Sequence, residues 1–203
     1  VIEKQKELGA EELICRYTKT DEVPFDFQRR RMSVVVRDAE GKTQMVTKGA
    51  VEEMLGCCSF AECGGRIRPL EDEVRELVLA GAERLNEEGM RVIAVAQKTD
   101  PSPEGQFGAA DERDMVLIGF LAFLDPPKAD TGEALLALRE YGVTTKILTG
   151  DNEKVTRAIC RQVGLDGSAA LLGDELDLLG DDELGKRAEE TTVFAKLSPS
   201  QKA

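Results

Sequence analysis

The sequence predicts an α/β protein in two parts, an antiparallel sheet flanked by helices followed by short parallel strands joined by helices. Three observations predict it. Two apolar, β-branched runs, MSVVV from Met32 and KTQMVTK from Lys42, flank the polar tetrapeptide Asp38, Ala39, Glu40 and Gly41, which is a hairpin pattern. From Asp125, Pro126 and Pro127 onward, helical segments closed by glycine alternate with short apolar runs, the pattern of a parallel sheet. At 203 residues the chain is also long enough to bury a real core, as one large domain or two small ones. The change of pattern places a boundary at Asp125, dividing residues 1–124 from 125–203.

Taken in order, residues 1–16 are charged with sparse apolar positions and read as a loose helix. Strands over 32–37 and 42–48 lead into a helix over 50–57, where Val51, Met54 and Leu55 have helical spacing. A turn at Gly64 and Gly65 precedes a longer helix over 71–88. Val74, Leu77, Val78 and Leu85 share one face of it, acidic residues open it, and Gly89 stands just past its end. Arg91 opens a strand over 91–96. The Pro-, Gly-, Ser- and acid-rich stretch 99–114 reads as a long surface loop inserted before the apolar strand 115–124. Beyond the prolines come a helix over 129–141, a strand over 143–148, a helix over 152–163, a short strand over 169–172, a helix near 181–188 and a strand over 192–197. Ser198 and Pro199 then have the form of an N-cap and first residue of another helix.

Composition narrows the function. A formal net charge of −12 disfavours a broad nucleic-acid or anionic-membrane surface, which needs excess Lys and Arg. The cluster Arg29, Arg30 and Arg31 is an exception, either a solvated strand end or an anion site. No apolar run reaches a membrane span. The chain opens on a charged segment without an initiator Met and without a signal-peptide pattern, as an excised soluble fragment would. Five cysteines at irregular spacing, with no histidine, lack the paired CxxC form of a zinc site and read as reduced structural thiols. Without histidine, Ser-His and Cys-His nucleophilic mechanisms are also excluded.

Two places carry chemistry. The hairpin folds Phe25, Phe27 and the Arg triplet back towards Lys48 and Gly49. Aromatic faces, guanidinium groups and a lysine beside a glycine suit a flat base carrying phosphates. Gly49 stands at a helix entrance, where free backbone N–H groups attract anions. In KILTGD the strand ending at Leu148 gives way to Thr149, Gly150 and Asp151 before a helix. A threonine hydroxyl and glycine amide at the carboxyl end of a parallel strand suit a phosphoryl group, although such a turn also needs Gly and an acid for structural reasons alone. Asp125 at a strand end has the place of a phosphatase nucleophile, but no second Asp lies two residues on, and the prolines read as a rigid hinge. In FAKLSPSQK, Lys202 is placed to reach an anion at the sheet edge.

The order PFDFQRRRMSV, TKGA, GMRVIAVA, FLDPPK, KILTGDN, FAKLSPSQK resembles the landmarks of the nucleotide-binding and phosphorylation domains of P-type ATPases, from about Val23 to the end of the chain. The resemblance implies a nucleotide-binding domain over 1–124 and part of a haloacid-dehalogenase-like phosphorylation domain over 125–203. It implies ATP and Mg2+ as cofactors. Phe25 would stack on adenine, with Phe27 able to substitute. Arg30 would be a basic residue near the nucleotide, Lys48 of the Lys-Gly-Ala motif would lie deep in the adenine pocket beside Gly49, and Arg91 would meet the phosphates. Asp125 would belong to the hinge, Thr149, Gly150 and Asp151 to the loop that touches the phosphoryl group and helps organise magnesium, and Lys202 would neutralise the phosphorylated aspartate.

The family's Asp-Lys-Thr-Gly-Thr and Gly-Asp-Gly-x-Asn-Asp motifs do not occur in this sequence. The isolated chain is therefore expected to bind nucleotide without turnover. In the intact pump its partners would be ATP, a transported cation, and the membrane and actuator domains of the same polypeptide, with no nucleic acid. This portion would lie on the cytoplasmic side of the plasma (inner) membrane. The Arg triplet before MSVVV and the FLDPPK hinge look most like the bacterial magnesium-importing branch. A calcium-pump-like enzyme, a free-standing phosphatase using Asp125, and a regulatory module holding an acidic partner through the Arg cluster are the alternatives.

Overall fold

The computed structural model describes residues 10–101 and 107–202. Its elements run α1 (Ala10–Ile14), β1 (Thr18–Asp26), β2 (Arg31–Arg37), β3 (Thr43–Gly49), α2 (Val51–Cys57), β4 (Cys58–Cys63), β5 (Arg66–Pro69), α3 (Asp72–Glu87), β6 (Met90–Thr99) and β7 (Met115–Leu124). They continue with α4 (Thr131–Glu140), β8 (Ile147–Leu148), α5 (Glu153–Val163), β9 (Ala170–Leu172), α6 (Gly173–Leu176), α7 (Asp181–Glu190) and β10 (Val193–Ala195). The fold is α/β. Seven strands in the order β1-β2-β3-β6-β7-β4-β5 form a mostly antiparallel sheet, and three in the order β8-β10-β9 form a small parallel one.

Two compact units result, one of Val1–Leu79 with Ile93–Leu121, the other of Ala80–Val92 with Ala122–Ala203. In the first, period-two burial sets the register. Ser33 and Val35 of β2 are buried opposite Thr47 and Met45 of β3, and Ala96 of β6 lies opposite Thr47 on the same face. Helix α2 adds Val51, Met54 and Leu55 to the buried residues. On the alternate positions, Met32, Val34, Val46 and Val95 are only half-buried. This second face of the sheet is the less covered one.

Three elements differ from the sequence reading. Strand β1, Thr18–Asp26, lies where the sequence reading gives no strand; only Val23 of it is buried, and it is the sheet's edge, which also accommodates Pro24. The Gly64–Gly65 turn, with φ of +60° and +76°, joins a hairpin of β4 and β5 that the sequence reading leaves as a turn alone. The strand expected over 143–148 is confined to Ile147–Leu148. Residues before it finish helix α4 instead: Gly142 has φ +75°, its amide donates to Arg139 O, and the amide of Val143 donates to Leu138 O.

In the second unit β10 lies between β8 and β9, parallel to both. Leu171, Phe194 and Leu197 form a buried cluster against which Leu176, Leu179 and Ala188 pack. Helix α5 begins at Asn152, whose side chain accepts from the Lys154 amide, and ends at Gly164 in the left-handed conformation. Val155, Ala158, Cys160 and Val163 form its buried stripe.

Candidate functional site

In the first unit the turn from β1 to β2 is built by Asp26. Its Oδ1 accepts from the amides of Gln28 and Arg29, both at 2.8 Å, and its carbonyl accepts from Arg30 N at 2.7 Å. These bonds, that from Arg29 first, hold the Asp26 carboxyl below its usual value. The turn carries Arg30 at φ +47° and presents the aromatic pair outward. Phe25 is 52% exposed and Phe27 68%, with ring centroids 5.1 Å apart and edge-to-face. An exposed aromatic pair withholds from the core the apolar area that ordinarily stabilises a fold, and leaves it free for a planar ligand.

Lys48 is exposed on β3, opposite Met32 of β2 and Val95 of β6, and so belongs to the less covered face of the sheet. Gly49 next to it is buried, and a Cβ there would fall 2.5 Å from Arg31 Cβ and 2.7 Å from Arg30 O. Close strand approach alone accounts for this glycine. Arg30 extends outward, 3.5 Å from Glu53 Oε1.

The other two arginines of the triplet turn inward to a residue that sequence reasoning missed. Glu112 has a fully buried side chain. Its Oε2 accepts from Arg29 Nη1 at 2.6 Å and Arg31 Nε at 2.7 Å, and its Oε1 from Ser33 Oγ at 2.7 Å, which is in turn 2.7 Å from Thr47 Oγ1. Burial pushes the carboxyl's pKa up, but the hydrogen bonds from Arg29, Ser33 and Arg31 outweigh it and hold the group below its usual value. The stretch 99–114 is therefore not a surface loop throughout. Of the Arg cluster, only Arg30 is left facing outward.

In the second unit the chemistry-bearing residues gather at the carboxyl ends of β8 and β10. Thr149 N donates to Phe194 O, Leu197 N to Thr149 O, and Lys196 N to Asp151 O, so residues 149–151 are laced to the chain leaving β10. Thr149 Oγ1 accepts from Asp151 N at 3.1 Å. Lys196, at φ +54°, turns that chain into a short 3-10 turn, Pro199–Lys202. The turn brings Lys202 back: its Nζ is 3.9 Å from where a Cβ on Gly150 would stand. Asp151 Oδ1 lies 2.8 Å from Arg91 Nη2. Thr149, Gly150, Asp151, Lys202 and Arg91 thus form one group, which pairs a hydroxyl and cations with the end of a parallel strand, a setting suited to phosphoryl oxygens.

Gln201 is the second residue that the sequence reading passed over. It accepts from Ser198 N and donates to Gly173 O and Asp177 Oδ1, tying the Lys202 turn to the end of β9. Asp125 is exposed just beyond β7. Among the described residues no group of three or more His, Cys, Asp or Glu side chains could hold a metal ion, and no helix is long and apolar enough to cross a membrane.

The chain is similar to known proteins along its length. The model of the family described as P-type ATPase, cytoplasmic domain N, matches residues 2–130. The chain is 46% identical over its whole length to the Magnesium-transporting ATPase, P-type 1, of Escherichia coli (strain K12), covering 22% of that protein, and equally to its namesake in Salmonella typhimurium (strain 14028s / SGSC 2262). It is 32% identical to Calcium-transporting ATPase 1 of Lactococcus lactis subsp. lactis (strain IL1403), over 89% of the chain and 21% of that protein. The chain thus spans about a fifth of the length of the curated relatives it matches. With more than half of its residues matched by the family's model, and with greater identity to these magnesium-transporting relatives than to the calcium-transporting one, the chain belongs to the P-type ATPase family.

Proposed function

We propose that this chain is the ATP-binding portion of a pump that hydrolyses ATP through an aspartyl-phosphate intermediate and uses it to move a cation, Mg2+, across a membrane. The observation that carries the reading is 46% identity along the whole chain to magnesium-transporting ATPases. The gathering of Lys202, Gly150 and Thr149 at one sheet end supports it from the side of geometry. On this reading residues 1–124 are the nucleotide-binding domain and 125–203 part of the phosphorylation domain, with Asp125 at the hinge. Both lie on the cytoplasmic side of the inner membrane, on one polypeptide with the membrane and actuator domains.

The residues divide the work by chemistry. Phe25 stacks on the base, a contact of roughly 1–3 kcal/mol, and Phe27 supplies the alternative face. Lys48 on β3 and Arg30 in the turn before β2, both exposed cations, hold ligand oxygens, with Gly49 allowing the strands to approach. In the second unit Arg91 meets phosphate, and Lys202 neutralises charge on the phosphorylated carboxylate. Thr149 and Gly150 contact the transferred group. Asp151 is the carboxylate available to Mg2+, which supplies charge neutralisation at the phosphates.

Calorimetric titration of the chain with ATP tests the reading. The expected result is saturable binding, weakened about fivefold or more by Phe25→Ala, the low end of the stacking contribution, and weakened also by Lys48→Ala. A folded chain that binds no ATP, or binds it equally with Ala at position 25, overturns it. Transport of Ca2+ rather than Mg2+ is the second reading, favoured by the 32% identity to the calcium-transporting relative. Ion-dependent ATPase activity of the full pump separates the two.

A further inference from the structure

We infer that Glu112 and Arg29 act together as a positioning buckle for the Phe25 turn, so that Arg29 is an internal strut and not a ligand of the nucleotide. The inference rests on the ATP-binding reading above and names residues that shape that site without touching the ligand. Arg29 makes two bonds with its two terminal nitrogens: Nη1 donates to the buried Glu112 Oε2 at 2.6 Å, and Nη2 donates to Pro24 O at 2.8 Å. The carbonyl it holds belongs to the residue immediately before Phe25. The rest of the turn is held locally by Asp26, whose bonds to Gln28 N and Arg29 N close a loop over the same residues. Phe25 and Phe27 are too exposed for core packing to fix them. The guanidinium fork therefore transmits the fixed position of Glu112 to an aromatic pair that has little else to fix it.

Glu112 is itself fixed. Arg31 Nε and Ser33 Oγ on β2 donate to it, so the carboxylate is anchored to the strand that follows the turn. By drawing Arg29 and Arg31 inward it also decides which arginine of the triplet faces outward, leaving Arg30 at the left-handed position of the turn. Charge and shape here make opposite forecasts. Removing a carboxylate that neutralises two arginines favours an anionic ligand electrostatically, whereas releasing the buckle lets the stacking face drift. A loss of affinity in a variant without the carboxylate consequently reports positioning.

The test uses the whole 203-residue chain and two variants, Glu112→Gln and Arg29→Lys. Lysine keeps a positive charge beside Glu112 but cannot bond Glu112 and Pro24 through a rigid fork, so this variant remains informative if Glu112→Gln does not fold. Without nucleotide, the ring protons of Phe25 and Phe27 are followed by NMR. Their mutual ring-current shifts are expected in the parent chain and are lost in both folded variants. With ATP, calorimetry is expected to give affinity about fivefold or more below the parent's, at a temperature where the variants are folded. Unchanged ring shifts and unchanged ATP affinity in a folded variant whose melting temperature has fallen would mean a purely structural ion pair, and would overturn the inference. If the parent binds no ATP, the ATP-binding reading fails, while the ligand-free spectra still decide for or against the buckle.

Discussion

Replacing Gly49 by alanine puts the strand packing of the first unit to a quantitative test. The new Cβ would stand 2.5 Å from Arg31 Cβ and 2.7 Å from Arg30 O, whereas carbon atoms pack best at about 3.5–4.0 Å. Both obstructing atoms are backbone or directly attached to it, and Gly49 is paired with Arg31 across the β2–β3 ladder, so the strain is relieved only by moving one strand from the other. Overpacking of this kind costs about 1–3 kcal/mol. For a chain of this length each kcal/mol lowers the melting temperature by about 2–4 °C, which gives a fall of about 2–12 °C. Gly56→Ala is the matched control. It lies in α2, has nothing within 4 Å of its added Cβ, and should stabilise by about 1 kcal/mol through helix propensity. Thermal unfolding by circular dichroism gives both shifts, and hydrogen exchange of the Ala50 amide, which is bonded to Arg30 O, localises the first. A Gly49→Ala protein that melts no lower than the parent, with Ala50 still protected, would refute the packing argument.

Other outcomes follow from titratable groups. Burial raises the pKa of Cys57, Cys58 and Cys160, that of Cys58 to about 12, while Cys15 and Cys63 are exposed. Iodoacetamide at neutral pH should therefore label Cys15 and Cys63 in the native chain and reach the other three only on unfolding, as peptide mass mapping can check; prompt native labelling of Cys58 would contradict its burial. Glu112 should make the first unit acid-sensitive. Its folded pKa is lowered from the usual 4.5, so its contribution is fully present above that value and is lost as pH falls through the lower folded value. Denaturant unfolding between neutral pH and the region below 4.5 should show a shallower decline for Glu112→Gln than for the parent, and parallel declines would exclude this carboxylate as the source.

Much of the fold was written in periodicity. The β2–β3 hairpin follows from alternation on either side of Asp38 to Gly41, and α5 from an apolar stripe between Asn152 and Gly164. Where the signal failed, burial was sparse. Strand β1 buries Val23 alone, and β5 buries nothing, so neither carries the alternation by which a half-buried strand is recognised. The strand before Leu148 was read too long because helix closure at Gly142 and Val143 consumes residues that look β-prone. For the site, Phe25, Lys48 and residues 149–151 were visible as residue types at turns and strand ends. Glu112 was not. It sits in an acidic, Gly- and Pro-rich stretch, and the residues that donate to it are 79 to 83 positions away in sequence. The return of Lys202 to Gly150 was equally hidden, since it depends on one left-handed residue, Lys196.

The central claim, that the exposed aromatic turn and the less covered face of the first sheet receive ATP, is tested most directly by mapping backbone amide shifts during an ATP titration. The account predicts saturable changes at Phe25, Phe27, Arg30 and Lys48 and along the neighbouring positions Met32, Val34, Val46 and Val95. A folded chain with no response there, or with saturable changes confined to residues remote from this face, would contradict it.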